Sequence, residues 1–137
     1  MHIVLPTRAY QLFFEHRPEY LYVYIECDKV DLALARRYWQ EVLAMLHRRR
    51  YKRVLVEKNI PDRLPPHDVF TLVSELAHSG CSDVMFAIVD QHFDAERADF
   101  EQMVGSNRGL HIRVTGDTTT AEPWLLTRGW AVAAKAA

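Results

Sequence analysis

The stretch "RVLVEKNIPDRLPPHDVF", which spans residues 53–70, changes character twice. The apolar run at 54–56 is typical of a buried strand. Three polar residues follow it at once: Glu57, Lys58 and Asn59. A residue that precedes proline avoids the helical region, so we expect Leu64 to be extended and a helix to begin at Pro66. The stretch therefore predicts a strand, a loop and a helix, with polar side chains where the strand leaves the core.

The same alternation continues on both sides of this stretch. Apolar and β-branched runs predict strands, and apolar residues spaced three and four apart predict helices. The predicted strands are 9–16, 20–27, 53–58, 84–90 and 110–115, and the predicted helices are 31–50, 66–79, 94–107 and 118–127. The order is β-β-α-β-α-β-α-β-α, in which strand–helix–strand units imply parallel strands and the first two strands form a hairpin. We therefore expect an α/β domain with a mixed sheet.

Composition limits the class of protein. The 137 residues suit a single domain, with a core over about 9–127 and a flexible tail at 128–137. The net charge of -1 gives no reason to expect nucleic acid as a partner. The sequence shows neither a transmembrane segment nor a signal peptide, which favours the cytoplasm. Cys27 and Cys81 are expected to be small buried hydrophobic residues.

Candidate site residues follow from this topology, because open α/β sheets bind ligands beyond the carboxyl ends of their parallel strands. The acidic residues that begin helices, Asp31, Asp94 and Asp117, are explained as caps. The ligand-binding candidates that remain are Glu57, Lys58, Asn59, Asp90 and His92. Two interpretations stay open for them. The charged side chains extend into solvent past the sheet, or Glu57 and Asp90 on neighbouring strands frame a polar pocket.

The other motifs give weaker indications of function. The "DQHFD" run at 90–94 has a spacing that could bind a metal, but no second cluster supports it, so we predict neither a metal nor a cofactor. The basic run "HRRRYKR" at 47–53 suits the C-terminal end of a helix. Phosphate-loop, dinucleotide and nucleophile-elbow motifs are absent from the sequence.

The second strand alternates aromatic residues with aliphatic ones. Tyr20, Tyr22 and Tyr24 share one face of this strand. If no helix covers that face, it is a candidate interface for a homodimer or for a protein partner.

The whole pattern resembles the STAS/SpoIIAA-like fold of anti-sigma-factor antagonists. Several runs are similar to bacterial SpoIIAA-like proteins within it: "YW" at 38–39, "RVLVEKN" at 53–59, "FAIVD" at 86–90, "NRG" at 107–109 and "AEPWLL" at 121–126. The resemblance covers roughly residues 9–127. It implies a regulatory or ligand-binding module and no known enzymatic activity.

The resemblance does not extend to the switch of the antagonists. In those proteins the loop after the third strand carries a phosphorylated serine in a D-S-[ST]-G pattern. Here that loop has no serine or threonine before Thr71, which lies in the predicted helix. Asp68 places a fixed negative charge in the first turn of that helix, where an anion would otherwise bind. We therefore expect Asp68 to repel a phosphate from the amides of 67–69.

Three functions remain open on these grounds. The first is a non-enzymatic regulatory or protein-interaction module that lacks the phosphorylatable serine. The second is a small-molecule-binding protein that uses the polar rim at the carboxyl ends of the parallel strands. The third is an enzyme that uses the rim carboxylates as acid and base, for which the sequence offers no nucleophile–base pair.

Overall fold

The computed structural model describes the backbone of residues 9–136 and the side chains of residues 9–127. Five strands and four helices alternate in the predicted order. They are β1 (Gln11–His16), β2 (Leu21–Glu26), α1 (Leu32–Arg49), β3 (Arg53–Asn59), α2 (Pro66–Ala77), β4 (Met85–Asp90), α3 (Ala95–Asn107), β5 (His111–Thr115) and α4 (Thr118–Ala136). The predicted α/β class and element order are confirmed.

The five strands form one sheet whose spatial order is the chain order, β1-β2-β3-β4-β5. β1 pairs antiparallel with β2, and every later pairing is parallel. The register aligns Lys58 of β3 with Asp90 of β4, and Tyr24 of β2 with Glu57 of β3. The carboxyl ends of β2, β3, β4 and β5 therefore lie along one edge of the sheet.

One face of the sheet packs against α1, α2 and α3, and we call it the pocket face. Its strands contribute alternate side chains such as Val23, Val54, Val56 and Phe86, all fully buried. The helices bury their own apolar stripes against these residues. This larger of the two cores follows from the period-two pattern of the strands and the 3.6-residue pattern of the helices.

The other face carries Tyr20, Tyr22 and Tyr24, and we call it the tyrosine face. The single helix α4 crosses it and buries Ala121 and Leu125 against Leu55, Ala87 and Val89. The run at 121–126 predicts that Trp124 and Leu125 face inward on the last helix. Leu125 is fully buried, and Trp124 packs beside it with its side chain partly buried.

The helix ends show how short-range chemistry sets the boundaries. The Asp31 carboxylate accepts a hydrogen bond from Leu34 N–H at 2.8 Å, and Asp94 accepts one from Arg97 N–H at 3.1 Å. Asp117 likewise accepts from Thr120 N–H at 2.7 Å at the start of α4. The three predicted acidic caps are therefore confirmed.

Three details of the helices differ from the sequence prediction. The apolar spacing of Val69, Phe70, Val73 and Leu76 predicts that all four face inward, but Phe70 is 43% exposed and Leu72 is buried instead. Because proline is tolerated in the first turn of a helix, the sequence predicts Pro123 there, but it lies inside α4, where its missing N–H leaves the carbonyl of exposed Thr119 without its helical partner. The helical backbone of α4 continues past Thr127, where the sequence predicted it to end, to Ala136.

Candidate functional site

A pocket of about 70 Å³ lies between α1, α2, α3 and the carboxyl ends of β3 and β4. Its floor is apolar and includes Trp39, Leu72, Leu76 and Ile88. Its polar lining comes from α1, α3, the ends of β3 and β4 and the loops that follow these strands, and it comprises Tyr38, Lys58, Asp62, Arg63, Asp90, His92, Arg97 and Glu101. The pocket lies at the edge of the sheet where the topology predicts a ligand site.

The alternation of strand residues decides which side chains enter the pocket. Val56 and Ile88 are buried on the pocket face, so the residues two positions later, Lys58 and Asp90, lie on the same face. Both side chains line the pocket. Of the five residues that the sequence proposes as ligand-binding, three line the pocket, namely Lys58, Asp90 and His92.

Glu57 lies on the tyrosine face, and the structure does not bring it together with Asp90. Its carboxylate accepts hydrogen bonds from the Tyr22 hydroxyl at 2.6 Å and from Gln91 Nε2 at 2.8 Å. Of the two interpretations that the sequence leaves open, the one in which Glu57 and Asp90 frame one polar pocket is therefore corrected. The partner of Asp90 in the strand register is Lys58, and adjacent strand residues such as Glu57 and Lys58 point to opposite faces.

Asn59 connects the two faces at the end of β3. Its side-chain amide donates to Glu26 Oε1 at 3.1 Å and to the Tyr24 hydroxyl at 3.3 Å. Its Oδ1 lies 3.0 Å from His92 Nε2, so the imidazole donates there from Nε2. The Asp90 carboxylate accepts from the backbone N–H of His92 at 2.8 Å. These bonds fix His92 at the mouth of the pocket.

Lys58 is the cation of the pocket that has no direct partner. No other residue in the described part of the chain forms a hydrogen bond or an ion pair with its ammonium group. Burial lowers the pKa of Lys58, but Tyr38, Glu101 and Asp90 nearby raise it more, so the pKa lies above its ordinary value. Lys58 is therefore an ammonium ion at neutral pH.

Several lining residues were not identified from the sequence. Arg97 and Glu101 of α3 lie one helical turn apart and both reach the pocket, and Arg97 donates to the carbonyl of Leu64 at 2.8 Å. Arg63 donates to the carbonyl of His92 at 3.0 Å. The i, i+4 spacing on α3 was a signal for a shared helix face, but nothing in it indicated which face α3 turns to the sheet.

The tyrosine face is only partly open. Tyr20 is buried beneath α4, where its hydroxyl donates to Glu122 Oε2 at 2.5 Å and Arg17 donates to it at 2.7 Å. Tyr22 and Tyr24 are partly buried. The exposed aromatic side chain of this face is Phe13 of β1, opposite Tyr24 in the strand register and 56% exposed.

Two weaker signals have structural explanations. The carboxylates of "DQHFD" are engaged separately, since Asp90 binds the His92 amide and Asp94 caps α3. In the portion of the molecule that the structure describes, no three His, Cys, Asp or Glu side chains converge as metal ligands. At the start of α2, the amides of Asp68 and Val69 both donate to the carbonyl of Pro65, at 3.0 and 3.1 Å.

Both cysteines are buried and unpaired by disulfides, as expected for small core residues. Cys81 Sγ lies 3.4 Å from His47 Nε2, near the opposite end of the sheet from the pocket. Burial raises the pKa of the Cys81 thiol, so the group is a neutral thiol at physiological pH despite its histidine neighbour.

Comparison with known proteins supports the fold. The chain is similar in structure to an uncharacterised protein of the DUF3478 family from Shewanella loihica PV-4, whose crystal structure has a SpoIIAA-like fold. The TM-score is 0.57 at 11% identity, over 90% of this chain and 99% of the other. No family model and no curated protein sequence matches the chain. The SpoIIAA-like fold that the sequence predicts is therefore confirmed.

Among the residues that the structure describes, no helix is both long enough and apolar enough to cross a bilayer.

Proposed function

We propose that this chain is a non-enzymatic regulatory module of SpoIIAA-like fold whose input is a small molecule bound in the pocket. The observation that carries the proposal is the unpartnered Lys58 ammonium above an apolar floor. Apolar pockets with a few convergent polar groups are the usual form of small-molecule sites. The position at the carboxyl ends of the parallel strands is the one that this architecture uses for ligands.

A regulatory role is supported by the loop that borders the pocket. Ile60, Asp62, Arg63 and Leu64 line it, and they belong to the loop that carries the phosphorylated serine in the antagonists that the sequence resembles. A bound molecule would contact this loop directly. Ligand binding could therefore change the same surface that phosphorylation changes in those proteins, without a serine at this position.

A non-enzymatic role is supported by the hydrogen bonds that the rim carboxylates already accept within the protein. Glu57 is hydrogen-bonded on the tyrosine face, and Asp90 is engaged by the His92 amide. Asp62 accepts from the Val30 amide at 2.9 Å, and hydrogen bonds from the Val30 and Arg63 backbone hold the pKa of Asp62 below its ordinary range. These carboxylates act as structural acceptors, and none is paired with a nucleophile.

A fragment screen on isotope-labelled protein tests the proposal. We expect binders whose amide chemical-shift changes centre on Ile60, His92 and the first turn of α2. Val69→Phe, which puts an aromatic ring into the pocket lining, should remove these changes. Thr71→Phe adds the same ring at a residue of α2 outside the lining and should leave them in place. Fragments that bind Val69→Phe and wild type equally would contradict the proposal, as would a screen without pocket binders.

A second candidate function is self-association through the tyrosine face. Phe13 favours it, because this exposed phenylalanine lies on β1, an edge strand of the sheet, beside Tyr24. Since α4 buries Tyr20, the proposed surface is centred on Phe13, Tyr22 and Tyr24. Sedimentation velocity over a range of concentrations tests it. We expect a dimer that Phe13→Lys converts to monomer, and a wild-type monomer at high concentration would exclude this surface.

A further inference from the structure

Most polar groups of the pocket already have partners within the protein. Asp62 and Asp90 accept from backbone amides, and Arg63 and Arg97 donate to backbone carbonyls. His92 is held by Asn59. These groups shape the pocket, but their hydrogen-bonding capacity is partly used. The donors without any partner among the described residues are the Lys58 ammonium and the Tyr38 hydroxyl.

Tyr38 is only 2% exposed, yet it lines the pocket. Its ring lies edge-on to Tyr10 at 5.9 Å between centroids and is tilted against Trp39 at 6.2 Å, so its position is fixed by packing. Within residues 9–127, no side chain or backbone group forms a hydrogen bond with the Tyr38 hydroxyl. The hydroxyl oxygen itself is accessible, because Ser74 Oγ is the one fully buried side-chain polar atom without a partner among the described residues, so the Tyr38 hydroxyl is open to water or a ligand in the pocket.

Tyr38 and Lys58 lie close enough to influence each other's ionisation. Burial raises the pKa of Tyr38, and the neighbouring Lys58 charge opposes this. The hydroxyl therefore keeps its proton while Lys58 keeps its positive charge, so the pocket presents an O–H donor beside an ammonium donor. Two adjacent donors of this kind match the two oxygens of a carboxylate.

The rest of the pocket limits the charge and size of the ligand. The lining sets three cations, Lys58, Arg63 and Arg97, against three carboxylates, Asp62, Asp90 and Glu101. One added negative charge therefore fits this balance better than the two of a phosphate dianion. The floor of Trp39, Leu72 and Leu76 offers only apolar contact. A volume of about 70 Å³ admits a short chain.

We propose that the pocket binds a short apolar monocarboxylate, whose carboxylate accepts hydrogen bonds from the Tyr38 hydroxyl and the Lys58 ammonium while its hydrocarbon part lies on the Trp39–Leu76 floor. This inference rests on the proposed function, since it names the ligand class of the same pocket. It assigns Tyr38 and Lys58 to ligand binding and leaves Asp62 and Asp90 in structural roles.

Calorimetric titration with a matched series of six-carbon probes tests the ligand class. The probes are hexanoate, hexanamide, hexylamine and hexyl phosphate. We expect hexanoate to bind at least about tenfold more tightly than the other three, the gain typical of a charge-assisted hydrogen bond. Equal affinities for hexanoate and hexanamide would overturn the inference, and so would a preference for hexylamine or hexyl phosphate.

Variants locate the contacts. Tyr38→Phe and Lys58→Met should each weaken hexanoate binding about tenfold or more and weaken hexanamide binding by less, because the neutral amide loses no charge-assisted bond. Tyr22→Phe on the tyrosine face and Lys52→Met, an exposed lysine paired with Asp83, are the matched controls and should bind hexanoate normally. A cooperative thermal unfolding transition of each variant shows that it is folded. Undiminished hexanoate binding by Tyr38→Phe or Lys58→Met would contradict the assignment.

The outcomes separate this inference from the function on which it rests. Fragments that bind in the pocket and lose affinity in Val69→Phe, but show no preference for a carboxylate, would exclude the carboxylate and leave the small-molecule function standing. If neither the fragments nor the six-carbon probes bind the pocket, both proposals fail.

Discussion

On the tyrosine face, Tyr22 donates its hydroxyl proton to Glu57 at 2.6 Å, whereas on the pocket face the hydroxyl of Tyr38 has no partner among the described residues. The charged groups differ in the same way. Glu57 has two donors, and the adjacent Lys58, on the opposite face, has no direct contact with an acid. Neighbouring residues of one strand thus serve different purposes, since completed hydrogen bonds mark structural polar groups and uncompleted ones mark groups available to a ligand.

The test with the largest expected effect measures how much α4, the single helix on the tyrosine face, contributes to the free energy of unfolding compared with the helices on the pocket face. Leu125 is fully buried between α4 and the sheet. Leu125→Ala should lower the free energy of unfolding by about 2–5 kcal/mol, because it removes buried methyl groups and leaves a cavity. Urea denaturation measures this loss.

Two further Leu→Ala substitutions show how large a loss of unfolding free energy a well-packed leucine gives in this protein. Leu46→Ala in α1, equally buried on the pocket face, should cost a similar amount, while the neighbouring Leu126, only partly buried, should cost less. A loss below about 1 kcal/mol for Leu125→Ala, against several for Leu46→Ala, would show that α4 is a loosely attached cover.

The second test uses the adjacent residues Glu57 and Lys58. Glu57→Gln weakens the charged acceptor of Tyr22 and should lower the free energy of unfolding by about 1 kcal/mol. Lys58→Met removes a charge that the nearby Asp90 and Glu101 favour but that no direct contact holds, so it should lower the free energy of unfolding by less than Glu57→Gln does. Denaturation curves measure both values.

Glu19→Gln, at an exposed carboxylate in the hairpin loop, is the control for simple loss of a negative charge and should change little. The comparison between the faces breaks down if Lys58→Met destabilises the protein more than Glu57→Gln does. In that case Lys58 would be a structural cation.

The test with the smallest expected effect is the pH dependence that Tyr22, on the tyrosine face, gives to the free energy of unfolding. Burial, and then the hydrogen bond to Glu57, raises the pKa of Tyr22 well above its ordinary value of 10. Above pH 10 the unfolded chain therefore loses this proton before the folded chain does, so stability present at lower pH declines as the pH rises. Tyr22→Phe should show a shallower decline between pH 9 and about 11 in denaturation experiments. Parallel declines would mean that Tyr22 ionises equally well in the folded state.

The sequence was sufficient for the fold because the patterns are local. The apolar run at 54–56, the acidic caps and the proline before α2 each act within a few residues, and they set the element order and most boundaries. Phe70 and Leu72 show the limit of such patterns. Both suit an amphipathic stripe, and only the packing of α2 on its neighbours decides that Phe70 is exposed beneath Arg108.

The site was predictable as an edge of the sheet but not as a set of contacts. Lys58, Asp90 and His92 follow from strand ends, which the sequence shows. Tyr38, Arg97 and Glu101 come from helices whose rotation on the sheet depends on tertiary packing, so nothing local to their segments places them in the pocket. The register of β3 on β4 likewise had to be known before Lys58, and not Glu57, could be paired with Asp90.

The strand order also bears on how the chain acquires its structure during synthesis. Each strand from β2 onward pairs with the strand that precedes it in the chain, so the sheet can grow by addition as the polypeptide emerges, with few long loops to close. Helix α4 is the exception. It follows all five strands in the chain, and until it docks, Leu55, Ala87 and Val89 present an apolar surface to solvent. The nascent protein therefore passes through a stage with a nearly complete sheet and one uncovered face, when aggregation or chaperone binding competes with the final step of folding.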